Sequence, residues 1–137
     1  MDRKASCACG QLSISLKGDP EMVLACSCLE CQKRTGSVVS VSSYFGDDQI
    51  IDKSGASKAY KRSSDVDKWI ECYFCPNCGT TVYWTLEGLE KKIGVAVGCF
   101  SDPHFPSPAL SIWNESKHDW VLFPEQWHGD IKQESLD

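Results

Sequence analysis

Apolar and polar residues alternate in short runs along most of this chain. Over residues 11–16, Leu12, Ile14 and Leu16 fall on one side, and Gln11, Ser13 and Ser15 on the other. That two-residue period predicts a half-buried strand. Gly18-Asp19-Pro20 predicts a turn, and 22–25 is a short apolar run. Thr35-Gly36 breaks the chain before a β-branched stretch at 37–45, where Val39 and Val41 alternate. Ile50-Ile51 lies between polar turn residues. Residues 69–74 and 80–85 predict two strands joined by the Cys75–Cys78 segment. Ile93, Val95 and Val97 alternate with Gly94, Ala96 and Gly98, so the small-residue face predicts close approach of a backbone or a ligand. Pro103, Pro106 and Pro108 fix a loop, after which 110–113 and 120–123 predict final strands. No 3.6-residue period persists for three turns. The expectation is therefore a mainly β fold, a small β-sandwich-like domain of short antiparallel strands with two packed sheets. With no repeat or linker, residues 1–137 read as one zinc-binding domain, with a polar tail from about residue 128 that frays after Trp127.

Charge and length narrow the function classes. The chain has 137 residues and a formal charge of −5. That balance disfavours broad nucleic-acid binding, although Lys33-Arg34 and the stretch from Lys58 to Arg62 are locally basic. No apolar run approaches the ~18 residues of a membrane span, so no membrane partner is expected. Met1-Asp2-Arg3-Lys4 leads into a cysteine cluster rather than an apolar signal core, which points to the cytoplasm. In a reducing compartment nine cysteines are expected as metal ligands or reactive thiols rather than disulfides.

Most of the cysteines fall in three clusters: Cys7-Ala8-Cys9-Gly10, Cys26-Ser27-Cys28-Leu29-Glu30-Cys31, and Cys75-Pro76-Asn77-Cys78-Gly79. A C-x-x-C segment bends into a knuckle that presents two sulfurs to one ion. Pro76 stiffens that turn, and Gly79 allows the positive φ that follows it. A structural zinc takes four ligands, so the knuckle needs two more from another cluster. Spacing alone does not choose which. The economical partition gives Cys7, Cys9, Cys75 and Cys78 to a closed structural zinc. Cys26, Cys28 and Cys31 then hold a second zinc with a fourth position open to substrate, making two Zn2+ per chain. One zinc with several buried free cysteines fits the same spacing. So does a second zinc closed by Cys72 or Cys99, which would make the protein a binding module.

The order C-x-C, C-x-C-x-x-C, F-C-P-x-C-G resembles the glutathione-dependent formaldehyde-activating enzyme family, which also includes centromere protein V. Val97-Gly98-Cys99-Phe100-Ser101-Asp102-Pro103, then Pro108, Ile112-Trp113 and Trp120, resemble its C-terminal half, so the likeness spans roughly residues 5–125. The resemblance implies a β-rich fold around a structural zinc and supports the partition above. It also implies carbon–sulfur lyase chemistry, in which glutathione and formaldehyde combine to S-(hydroxymethyl)glutathione or the adduct is cleaved. Zinc would deprotonate the thiol or polarise the aldehyde oxygen. Many relatives carry a histidine just before the Ile-Trp pair, where this chain has Ser111.

Lys33 and Arg34 follow the second cluster and are candidates to bind a carboxylate of glutathione or a similar small thiol. Cys99 is the candidate extra ligand. His104 is a candidate base in a proline-rich loop, and His118 and His128 lie in polar stretches. Trp69, Trp84, Trp113 and Trp120 are expected in strands as core. The leading expectation is a zinc protein with an open three-cysteine site acting on a glutathione–aldehyde adduct. The alternative is a non-catalytic zinc module that recognises a partner protein.

Overall fold

The architecture follows from which strand faces are apolar. In the computed structural model, which describes residues 1–64 and 66–132, eleven strands form two sheets, with one short α-helix of two turns at the surface. β1 (Asp2–Ser6), β2 (Ser13–Lys17) and β5 (Ile50–Ser54) make a small antiparallel sheet in the order β1-β2-β5. The larger sheet has the order β11-β10-β3-β4-β9-β8-β7-β6. Its members are β3 (Met22–Cys26), β4 (Ser40–Gly46), β6 (Lys58–Ser63), β7 (Trp69–Phe74), β8 (Thr81–Leu86), β9 (Lys92–Ala96), β10 (Leu110–Ile112) and β11 (His128–Gly129). The fold is mainly β and mostly antiparallel, as expected. The exception is β10, which pairs parallel with both β3 and β11.

The two sheets pack face to face. Ala5, Leu12, Ile14 and Leu16 from the small sheet share one buried cluster with Phe45, Val82, Ile93 and Val95 from the large one. Alternation along the large sheet then decides its other face. On β3, Val23 and Ala25 turn away from Met22, Leu24 and Cys26; on β4, Phe45 turns into the sandwich while Ser42 and Tyr44 turn outward. Among the described residues no sheet covers that second face, and it carries a cleft.

Three expectations need correction, and three elements were not foreseen. Residues 120–123 form no strand. There Lys117 Nζ donates to the Val121 carbonyl at 2.7 Å, and Val121 N–H donates to the His118 carbonyl at 3.0 Å, which closes a turn. Trp120 is accordingly 71 % exposed rather than core. Residues 128–130 are held rather than frayed: β11 pairs with β10, and Asp130 is buried; the last five residues of the expected tail, 133–137, lie outside the described residues. Two exposed edge strands, β1 and β6, have too little alternation to be predicted. The helix α1 (Leu29–Thr35) spans only seven residues, too short to show a period. Among the described residues no helix is long and apolar enough to cross a membrane.

Candidate metal centres and an adjoining cleft

The first cysteine group is built from two matching knuckles. In the β1–β2 turn, Gly10 N–H donates to the Cys7 carbonyl at 3.0 Å, with Gly10 at φ +85°. In the β7–β8 turn, Gly79 N–H donates to the Cys75 carbonyl at 2.8 Å, with Gly79 at φ +79°. Both conformations favour glycine because it lacks a Cβ. The knuckles meet where Ala8 N–H donates to Thr80 Oγ1 at 3.2 Å. The sulfurs of Cys7, Cys9, Cys75 and Cys78 all lie within 4.8 Å of one another.

This donor set fits a tetrahedral ion. Sulfurs held at about 2.3 Å from one zinc stand about 3.8 Å apart. The Cys7–Cys9 and Cys9–Cys75 sulfurs are separated by 3.7 Å and 3.6 Å. Amide donors are aimed at the same sulfurs. Leu12 N–H reaches Cys7 Sγ at 3.3 Å, Asn77 N–H reaches Cys75 Sγ at 3.3 Å, and Gln11 Nε2 reaches Cys75 Sγ at 3.0 Å. Gln11 also grips Ala56 through both ends of its amide. A side chain at Gly55 would strike the Gln11 carbonyl at 1.8 Å, so only glycine lets the loop come this close.

The second group sits on the opposite side of the large sheet. Cys26 ends β3, Cys28 caps α1, and Cys31 lies one turn into it. Cys28 Sγ accepts from Cys31 N–H at 3.2 Å, and all three sulfurs lie within 4.8 Å. Without a cation these thiols cannot all ionise. Hydrogen bonds from Cys26 and Cys28, with Arg34 nearby, hold the Cys31 thiol down at about 3, and the same contacts push Cys26 up. One bound cation would relieve that conflict, so this donor set fits a metal as well. Both cysteine groups can therefore hold a metal ion.

Cys99 belongs to neither group. It packs against the main core, its sulfur 3.8 Å from the Thr81 carbonyl oxygen, and burial pushes its thiol up to about 11. Cys72 is buried with Ile70 and Trp84. Adjacent in sequence, Lys33 and Arg34 part company in space. Lys33 is exposed and 4.0 Å from Glu30, whereas Arg34 donates to Ser40 Oγ at 2.8 Å and lies 4.5 Å from the centre of the Trp84 ring. His104, His118 and His128 do not line the cleft, and Ser111 is buried, accepting from Asn114 Nδ2 at 2.9 Å.

The three sulfurs form one end of a cleft of about 470 Å³. Leu24, Ile112 and Trp113 wall it beside the cysteines; Ile70, Trp84 and Leu86 wall it opposite; Ser42 and Tyr44 make the floor. Arg34, Arg62, Lys68 and Lys92 line it, against Glu21 and Glu87. Lys92 is paired with Glu21, while Arg62 and Lys68 have no ion-pair partner among the described residues. Among the described lining residues, the cleft of this acidic chain is thus net cationic. Sequence reasoning missed Tyr44, Arg62 and Lys68. The one available signal was the small-residue face of β9. Gly94 pairs with both Trp84 and Tyr44, and a Cβ on it would meet Trp84 Nε1 at 2.0 Å. The indole crosses that gap and donates to the Tyr44 hydroxyl oxygen at 3.3 Å.

A sequence profile described as glutathione-dependent formaldehyde-activating enzyme matches residues 2–116. Among solved structures, the chain is similar in fold to a Rhodobacter sphaeroides protein, with a TM-score of 0.56 and 18 % identity over 73 % of this chain and 91 % of that one. No curated protein sequence matches significantly.

Proposed function

The chain belongs to the glutathione-dependent formaldehyde-activating enzyme family, and on that footing we propose that it forms or cleaves the adduct of a small anionic thiol, such as glutathione, with an aldehyde. The observation that carries this reading is the placement of three cysteine sulfurs at the end of a cleft whose cations outnumber its acids. Glutathione brings two carboxylates and one ammonium; among the described lining residues the cations exceed the acids by two, and Arg34, Arg62 and Lys68 are the groups that complement it. In this reading Cys7, Cys9, Cys75 and Cys78 hold a structural zinc, and Cys26, Cys28 and Cys31 hold a second with one position free. The second zinc would supply a Lewis-acidic position that favours the thiolate form of a bound thiol at neutral pH.

The chain's own residues do the rest. Arg34 holds a carboxylate or the incoming sulfur close to the trio. Burial pushes the Tyr44 hydroxyl up to about 12, so it stays protonated at neutral pH. Its oxygen is occupied by the Trp84 N–H, which leaves the hydroxyl proton free to bond the carbonyl oxygen as negative charge develops there. The apolar walls exclude water from the carbon–sulfur bond.

Cobalt-substituted protein tests the open position. Glutathione is expected to shift the sulfur-to-cobalt absorption of the native chain, and an unchanged spectrum at saturating thiol sinks the reading. Exchange NMR of glutathione with formaldehyde tests the chemistry. Tyr44→Phe is expected to slow exchange about 100-fold with both metals retained. A second reading, a module that recognises a partner protein, draws on the exposed Trp120 and Leu122; an exchange rate unaltered by the protein would favour it.

A further inference from the structure

The cleft is larger and more apolar than a one-carbon aldehyde needs. Formaldehyde has no apolar surface to bury, and in its adduct with glutathione the only new group is a hydroxymethyl. Glutathione itself is a polar tripeptide, already matched by the cations of the cleft. Yet the wall beside the sulfurs is a cluster in which Leu24, Ile112 and Trp113 are buried together with Cys26 and Cys28. The facing wall is Ile70, Trp84 and Leu86. A cavity of about 470 Å³ falls in the range that encloses drug-sized molecules. An apolar concavity at a site of chemistry signals an apolar ligand, because water held against such walls is readily displaced by hydrocarbon.

We propose that the aldehyde handled in this cleft carries an alkyl or aryl chain of several carbons, held between the Leu24–Ile112 wall and the Ile70–Leu86 wall. The inference rests on the thiol–aldehyde reading above and names its substrate class. The reaction balances without any further reactant. The thiol sulfur bonds to the carbonyl carbon, the C=O π pair moves to oxygen, and that oxygen takes the proton the thiol gave up. The reverse direction breaks the same carbon–sulfur bond. Chain length changes only the binding, so it can be read apart from the chemistry.

The test is calorimetric titration of the zinc-loaded protein with S-methyl-, S-butyl- and S-hexylglutathione. The dissociation constant is expected to fall about fourfold for each methylene between methyl and butyl. Leu86→Asp and Val66→Asp, both at partly exposed positions lining the cleft, are expected to flatten that series. A series flat in the native protein, an absence of binding to all three ligands, or a gain undiminished in both variants overturns the inference. Exchange NMR with formaldehyde and with hexanal, run in parallel, separates the two readings. A rising series with no accelerated exchange of formaldehyde or of hexanal removes the chemical reading, and this inference with it, leaving only an apolar binding cleft. A flat series with accelerated exchange overturns this inference and leaves the chemical reading standing.

Discussion

The two cysteine groups begin alike and end differently. Both gather sulfurs from turns at strand ends, and each brings them within 4.8 Å. The four-cysteine group joins the β1–β2 turn to the β7–β8 turn, one from each sheet, so it clamps the sandwich. Amide donors from Leu12, Asn77 and Gln11 surround its sulfurs. The three-cysteine group draws all its sulfurs from one stretch of six residues, joins no distant strands, and ends a cleft. Ligand number and the span of chain that supplies it separate a clamp from the open site proposed above.

The largest effect should therefore follow from cutting the clamp. Cys75→Ser removes a fully buried sulfur from the group that ties the sheets together. Binding of a structural metal is worth ~10–16 kcal/mol, comparable with the whole ~5–15 kcal/mol by which a domain of this kind is stable. The variant is expected to lose cooperative unfolding by circular dichroism. Cys31→Ser is expected to lose one metal by mass spectrometry while keeping a native far-ultraviolet spectrum. Equal damage from the two substitutions would break the distinction between clamp and site.

Gly94→Ala probes the cleft side without touching a cysteine. Its Cβ would overlap the Trp84 indole, which must leave the gap or push β9 away from β8. Overpacking of this kind costs about 2 kcal/mol, measurable as a shift in the urea midpoint. The variant should keep both metals and lose the Trp84–Tyr44 hydrogen bond, with slower thiol–aldehyde exchange. Wild-type stability in this variant would show that the indole does not need the space.

How much of this was legible in the chain depends on how local each feature is. The C-P-x-C-G knuckle was readable because its geometry is set within five residues, and Gly79 takes the predicted positive φ. The strand from 69 to 74 was readable because its faces differ in burial, and the one near 80–85 because it is a buried β-branched and aromatic run. β6 was not, because an edge strand of Lys58, Ala59, Tyr60, Lys61, Arg62 and Ser63 has no buried face to mark it. The aromatics at 120–123 suggested a strand that a local turn replaces. The cleft was the least legible feature. It depends on β3, β4, β8 and β9 lying side by side, and only that pairing turns the alternation of Gly94 with its neighbours into a slot for Trp84.

A smaller effect concerns acidity within the three-cysteine group. A mild chelator should strip the three-cysteine group first, because it has fewer ligands. In protein so treated, Cys31 has its thiol lowered to about 3, chiefly by hydrogen bonds from Cys26 and Cys28, while Cys26 is raised. A lowered thiol adds stability that is complete above the ordinary thiol value near 9 and is lost as pH falls toward about 3. The raised Cys26 adds stability below that ordinary value and loses it at higher pH. Iodoacetamide at pH 6 should thus label Cys31 well ahead of Cys26, as read by peptide mass mapping. Even labelling of the two would contradict the arrangement.

The smallest effect is the one expected of Lys33. It follows the three-cysteine cluster in sequence and was a candidate to hold substrate, yet α1 turns it outward, 78 % exposed and loosely paired with Glu30. The next residue turns inward, where Arg34 meets Ser40 and the face of Trp84. A solvated surface pair contributes little, so Lys33→Ala should change stability by less than about 0.5 kcal/mol and glutathione affinity by less than about twofold. Arg34→Ala removes a charge-assisted contact worth about 1.5–3 kcal/mol, and affinity should fall at least tenfold. Titration of both variants with glutathione reads the difference. If the two weaken binding equally, the thiol lies over the outer face of α1, and the cleft is not where the carboxylate goes.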